Sequence, residues 1–240
     1  MKRALFGVML AVLLVGVSSR AFATTTDALQ ISSGGLTATI SDNGTCLGTG
    51  CALISNDLNL TPGTDTITGS INGWNFSIVS GTSQSPGLIP IGLGITSLNA
   101  FCTTASCTGS NALDIQYSDM NFASAPSAFS TSYSGTIVGS GSTIESAFFS
   151  TSNVNFAKTT SIGTVGPFFA PSGAGTVIGG VGAVAPYSLT LDQTFSGTNT
   201  SFIVGGNVTA APTAAPEPAS LTLVGTGLIG LAGLRRRKLL

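Results

Sequence analysis

The chain alternates apolar and polar residues in short runs broken by turn residues, the two-residue period of a half-buried β-strand. "LTATI" places Leu36, Ala38 and Ile40 on one face. "WNFSI" aligns Trp74, Phe76 and Ile78, and "IGLGI" aligns Ile91, Leu93 and Ile95. "LDIQY" turns Leu113, Ile115 and Tyr117 inward and Asp114 and Gln116 outward. "TIESAFF" sets Ile144, Ser146 and Phe148 together, and "NVNFA" pairs Val154 with Phe156. The most regular run is "YSLTLDQTF", with Tyr187, Leu189 and Leu191 inward and Ser188, Thr190 and Asp192 outward; "SFIVGGNV" follows it. Clusters such as "TPGTD", "QSPG" and "SGAG" mark turns between these runs. No central window carries a helical period, and the Lys, Glu and Arg that cover exposed helix faces are nearly missing there. Many short strands with frequent turns predict an all-β domain, a β-sandwich or jelly roll. The Gly-rich apolar stretch from Thr164 to Pro186 reads as loops and edge segments against that domain, with a self-associating surface as the alternative.

Both ends depart from this pattern. Lys2 and Arg3 precede the apolar run Ala4 to Val17, which leads to Ala21-Phe22-Ala23. That order predicts a secretory signal peptide cut after Ala23. At the other end, Ala219 to Leu234 contains no charge. As a helix this run spans about 24 Å, against a hydrocarbon core of about 30 Å. Arg235, Arg236, Arg237 and Lys238 follow it; they can snorkel to shorten the mismatch, and their charge keeps this end cytoplasmic. The predicted organisation is a signal peptide over 1–23, a β-ectodomain over 24–210, a Pro-rich linker over 211–218, a transmembrane helix over 219–234 and a basic tail over 235–240.

Charge and cysteines narrow what the middle can do. Between Arg20 and Arg235 the only basic residue is Lys158, set against eight acids before the linker, a net of about −7. Nucleic acid is excluded as a partner, because phosphate neutralisation needs Lys and Arg. Cys46 and Cys51 share a spacing with Cys102 and Cys107, in "CLGTGC" and "CTTASC". In an exported chain an even count favours disulfides, and the short loops favour local pairing, 46–51 and 102–107; a four-thiolate zinc site is the competing reading.

The chain holds no histidine, which removes Ser-His-Asp and Cys-His arrangements and His-ligated metals. Lys158 with Ser161 would be the only Ser-Lys pair, and nothing around it resembles a nucleophile elbow. A carboxylate hydrolase would use Asp114 and Asp119. No enzyme activity is expected. Trp74 could stack on a sugar ring, but its alternating position favours the core. Calcium is the one cofactor considered: "SDNG" (41–44), "NDLN" (56–59) and "SDMN" (118–121) offer oxygen ligands near turns, although Asp and Asn also form turns unaided and no stretch completes a twelve-residue calcium loop.

Pro216-Glu217-Pro218, followed by a short Gly-rich apolar run and an Arg-rich tail, resembles the PEP-CTERM protein-sorting signal of Gram-negative bacteria. The resemblance covers about 25 residues, from Ala215 to Leu240, with the three parts in the family's order. It implies recognition by an exosortase, a membrane-embedded processing enzyme, and passage through the inner membrane to the cell surface or exterior. It also implies a setting of exopolysaccharide and biofilm matrix. The chemistry agrees with a handling signal: the two prolines hold the backbone extended, so a helix can start only after Pro218. A structural or adhesive matrix protein is the expected function. A carbohydrate-binding module, with or without calcium, is the alternative.

Overall fold

The computed structural model describes residues 26–80, 83, 92–104, 107–123, 126–180 and 182–210. The predicted signal peptide with Ala21 and Ala23, the linker, the transmembrane helix and the basic tail lie outside these residues. Among the described residues no helix is long and apolar enough to cross a membrane.

The alternating runs form strands β1 (Ala28–Ser33), β2 (Leu36–Ser41), β3 (Thr66–Ile71), β4 (Trp74–Ser80), β5 (Gly92–Cys102), β6 (Leu113–Phe122), β7 (Phe129–Ser150), β8 (Thr160–Phe169), β9 (Ser172–Gly179) and β10 (Tyr187–Ala210). All ten belong to one barrel-like sheet. The main path runs β2-β1-β6-β10-β5-β4-β3, and β7 lies along the other edge of β10 with β8 and β9 beyond it.

Two long strands hold the path together. β10 runs for 24 residues and β7 for 22. They pair antiparallel from Ser188↔Ser150 to Ala210↔Phe129, with a register shift between Thr198 and Ser201. The first half of β10 also pairs with β6, and the second half with β5. On the far side, β8 takes the second half of β7 and β9 the first. Residues 139–142 ("GSGS") and 196–201 ("SGTNTS") have the composition of turns. Instead they bend continuous strands at a β-bulge. Gly139 has φ +94, and a Cβ there would strike the Asn199 carbonyl; Asn199 itself has φ 46.

The bend makes the two halves face each other. Phe129, at the start of β7, stacks on Phe149 near its end with ring centroids 5.6 Å apart, and meets Tyr187 edge-on at 5.8 Å. Trp74 is fully buried against Phe202 at 6.0 Å, and its indole N–H donates to the Asn111 carbonyl at 2.8 Å. Leu113, Ile115, Tyr117, Phe76, Ile78, Leu189 and Leu191 fill the same core, as their alternation predicts.

Three expectations need correction. "TIESAFF" presents its other face: Thr143, Glu145, Ala147 and Phe149 are buried, while Ile144 is 37% exposed. "NVNFA" is not a strand but part of the turn-rich segment after β7, with Val154 exposed and Phe156 at φ 62. That segment covers the outer face of β10: Ser188 Oγ donates to the Val154 carbonyl at 2.9 Å, and the Phe156 N–H donates to Ser118 Oγ at 3.0 Å. Ser188 and Thr190 are therefore buried as well, not outward. The stretch Thr164 to Pro186 supplies much of β8 and all of β9, which lie along β7 as edge strands, in keeping with the edge segments expected there.

The cysteines pair locally, Cys46 with Cys51 and Cys102 with Cys107, which leaves no thiolates for zinc. Cys102 and Cys107 are buried, whereas Cys46 and Cys51 are only partly so. Each six-residue ring constrains the unfolded chain by about 2 kcal/mol. Replacing either pair with serines is predicted to lower the denaturation midpoint with little change in its slope. The loss should be larger for the 102/107 pair, whose hydroxyls would be buried; equal losses in chemical denaturation would contradict this.

Glu145 poses a second energetic problem. Its carboxylate accepts from Gln193 Nε2 at 2.7 Å and from Thr131 Oγ1 at 3.0 Å, and a Cβ on Gly206 would fall on it. Burial pushes its carboxyl up to about 8, although the two donors oppose the shift. The folded state thus keeps a proton that the unfolded chain releases near 4.5. Stability from this group is present below that value and is lost as pH rises to about 8, at up to about 1.4 kcal/mol per pH unit. Glu145→Gln should flatten that loss in a pH series of urea denaturations; an unchanged slope would contradict the assignment.

Candidate functional site

The described residues bring together carboxylates that are scattered in sequence. Asp27 immediately precedes β1, and Asp42 immediately follows β2. Asp57 lies in the segment between β2 and β3, and Asp65 immediately precedes β3. Asp119 sits in β6, where Ser118 pairs with Ala28. β2 and β3 are the two ends of the main path, so these residues gather at the seam where the sheet must close.

The segment 42–65 forms that closure. It bonds to β2 through the Thr39 and Leu47 amides, each donating to the other's carbonyl at 2.8 Å, and through the Gly50 N–H to the Thr37 carbonyl at 2.8 Å. It bonds to β3 through the Ser55 N–H to Thr68 at 2.8 Å and the Leu58 N–H to Thr66 at 2.9 Å. Cys46–Cys51 staples the same segment.

Backbone amides then aim the carboxylates. Asp57 Oδ1 accepts from the Asn59 and Thr66 N–H groups, each at 2.9 Å, and Oδ2 from the Asn43 N–H at 3.0 Å. Asp42 Oδ2 accepts from the Gly63 N–H at 3.3 Å, and Oδ1 from Asn43 Nδ2 at 2.9 Å. Carboxylate oxygens of Asp42, Asp57 and Asp65 all lie within 4.8 Å of one another. The Tyr117 hydroxyl reaches Asp27 Oδ2 at 2.8 Å and the Gly63 carbonyl at 3.3 Å, tying the deep side of the cluster to its rim. Asp119 accepts from Thr26 Oγ1 and the Met120 N–H on one oxygen and from Ser83 Oγ on the other.

Asp27, Asp65 and Asp119 resist ionisation. Burial pushes the Asp65 carboxyl up to about 8, and the charges of Asp27, Asp57, Asp42 and Asp119 add to the effect. Burial raises Asp27 to about 7 against the Tyr117 hydrogen bond, with Asp119 and Asp42 adding repulsion. Burial also raises Asp119, against its hydroxyl donors. No basic side chain relieves them: among the described residues Lys158 is the only one, and it pairs with Asp192.

The structure therefore brings Asp42 of "SDNG", Asp57 of "NDLN" and Asp119 of "SDMN" to one place, the last from within β6 rather than from a turn. Sequence reasoning missed Asp27, which carries no local signal, and Asp65, which "TPGTD" presented only as a turn residue. Asp114 and Asp119 do not come together: Asp114 shares the outer face of β6 with Gln116 and bonds Thr194, while Asp119 enters the cluster. Lys158 does not meet a serine nucleophile, being committed to Asp192 and lying 5.7 Å from the Phe148 ring. Trp74 is in the core, as expected, and offers no sugar platform.

A separate groove of about 670 Å³ runs over β5, β7, β9 and β10, bordered by Thr96, Ser132, Ser134, Thr176 and Asn207. The Tyr133 ring beneath it is buried and stacked on Phe168 at 5.1 Å, so it presents no open aromatic face.

Among solved structures, the chain is similar to the enzymatically active domain of bacteriophage CBA120 tailspike protein 4, at 13% identity and a TM-score of 0.33, covering 55% of this chain and 18% of that one. It is similar to TmCBM61 in complex with β-1,4-galactotriose at 6% identity and a TM-score of 0.29, covering 57% and 84%. A cyclase from Fischerella sp. gives 11% identity and a TM-score of 0.32, covering 65% and 92%. No curated protein matches the sequence. The PEP-CTERM protein-sorting motif matches residues 214–238, which contain Pro216, Glu217 and Pro218, the apolar run and Arg235, Arg236, Arg237 and Lys238. These residues lie outside the described structure, but their order and the family match agree: the chain carries the PEP-CTERM protein-sorting motif.

Proposed function

We propose that this protein is a structural or adhesive component of the cell surface or extracellular matrix, delivered there through its C-terminal signal. The observation that carries the reading is the sorting-motif match over 214–238, which supports export and exosortase processing of a membrane-anchored precursor. In this reading the signal peptide starts export and the segment 219–234 halts it. Arg235 to Lys238 hold the tail inside, and the prolines present an extended strand with one charge, Glu217, to the exosortase just outside the bilayer. The β-domain then works outside the cell, in contact with exopolysaccharide. Its two disulfides suit an oxidising exterior.

A carbohydrate-binding module is the second reading. The hydroxyl- and amide-bordered groove over β5, β7, β9 and β10 favours it. A glycan array with and without calcium would separate it from a purely structural role.

Changing Pro216 and Pro218 together to alanine is predicted to leave full-length precursor in the inner-membrane fraction. Immunoblots of membrane, surface and medium fractions would read this out. Normal appearance of the variant outside the cell would contradict the sorting role.

A further inference from the structure

The seam cluster goes beyond the sorting role, because it concerns what the exported domain binds once outside. All its donors are oxygen: the nearby cysteines are bonded to each other and the chain has no histidine. That donor set selects a hard cation rather than zinc or copper. Ligands about 2.4 Å from a common calcium ion are at most about 4.8 Å apart. Asp42, Asp57 and Asp65 present oxygens within that separation. Backbone amides already orient Asp42 and Asp57, so little ordering remains to be done on binding.

A second observation is independent of that clustering. Asp27 is 1% exposed, and its Oδ1 has no hydrogen-bond partner among the described residues. A buried carboxylate oxygen left without a donor costs free energy unless a proton or a cation answers it. Asp27 stands directly behind the cluster: the Tyr117 hydroxyl joins its Oδ2 to the Gly63 carbonyl, the Gly63 N–H donates to Asp42 Oδ2, and the Asp42 N–H donates to the Asp27 carbonyl at 3.2 Å. Asp42 and Asp57 are only partly buried, which gives an ion a way in from solvent.

We propose that Asp42, Asp57 and Asp65 bind a calcium-class divalent cation at the seam, backed on the buried side by Asp27. The ion supplies the positive charge that the surrounding sequence lacks, and it ties the end of β2 to the start of β3. Extracellular calcium sites bind at about 10⁻⁴–10⁻³ M. At that affinity the seam is completed only in a medium holding calcium at a comparable concentration.

The test uses the purified full-length chain in detergent. Thermal unfolding is followed in EDTA, in about 10 mM CaCl₂ and in about 10 mM MgCl₂, with calorimetric titration of calcium alongside. Calcium should raise Tm by about 5 °C or more over EDTA, and magnesium by clearly less. Asp65→Asn replaces a buried carboxyl that resists ionisation with a neutral isostere, so it should match or exceed wild type in EDTA while losing the calcium response; Asp57→Asn gives up an acceptor for backbone amides, so it should fall below wild type in EDTA and also lose the response. Asp114→Asn, on the outer face of β6, should keep it. Three results would overturn the proposal: no calcium effect on the wild type, an equal effect of magnesium, or a calcium response retained in Asp57→Asn and Asp65→Asn. Because the sorting role is read from fractionation of the proline variant, failure here leaves that reading intact.

Discussion

The continuous pairing of β7 with β10 is the constraint on which the remaining structure depends. Each strand is long enough to serve both halves of the sheet, and the bulge near Gly139 and Asn199 folds one half over the other. The aromatic contacts among Phe129, Phe149 and Tyr187 follow from that fold-over. So does the bond between Thr131 and Glu145, two residues of the same strand. The pairing also determines what is left open. With β10 and β7 in the middle, β2 and β3 become the ends of the main path, and an unpaired strand edge is a site for unwanted association.

The segment 42–65 answers that exposure, and its chemistry is unusual. It bonds both edges, carries a disulfide and contributes three of the clustered carboxylates. Acidic groups placed so close together oppose the closure they take part in, because burial and mutual repulsion both disfavour the charged forms. In a chain with Lys158 as its only internal base, the balancing charge has to come from protons or from solution.

The strand faces of "WNFSI" and "LDIQY" were legible because one side meets the core and the other does not. "TIESAFF" was misleading for a physical reason. Glu145 satisfies its carboxylate inside through Gln193 and Thr131, so the polar residue rather than Ile144 takes the buried face. "YSLTLDQTF" was half legible, since the segment after β7 covers the face that alternation assigns to solvent. The stretches holding Asp42, Asp57 and Asp119 were visible as oxygen-rich, although Asp119 lies in β6 rather than in a turn. Their meeting point was not, because it arises from sheet closure between distant strands. The sorting signal was the most legible feature, since its information lies in contiguous residue order rather than in packing.

The central claim is that the seam closes under the control of its acidic cluster, and amide hydrogen exchange tests it directly. At one pH near neutrality, the Thr39, Leu47, Gly50, Ser55 and Leu58 amides should exchange faster in EDTA than in calcium, while amides along the β7–β10 pairing stay unchanged. Equal protection of the seam amides with and without calcium would contradict the account.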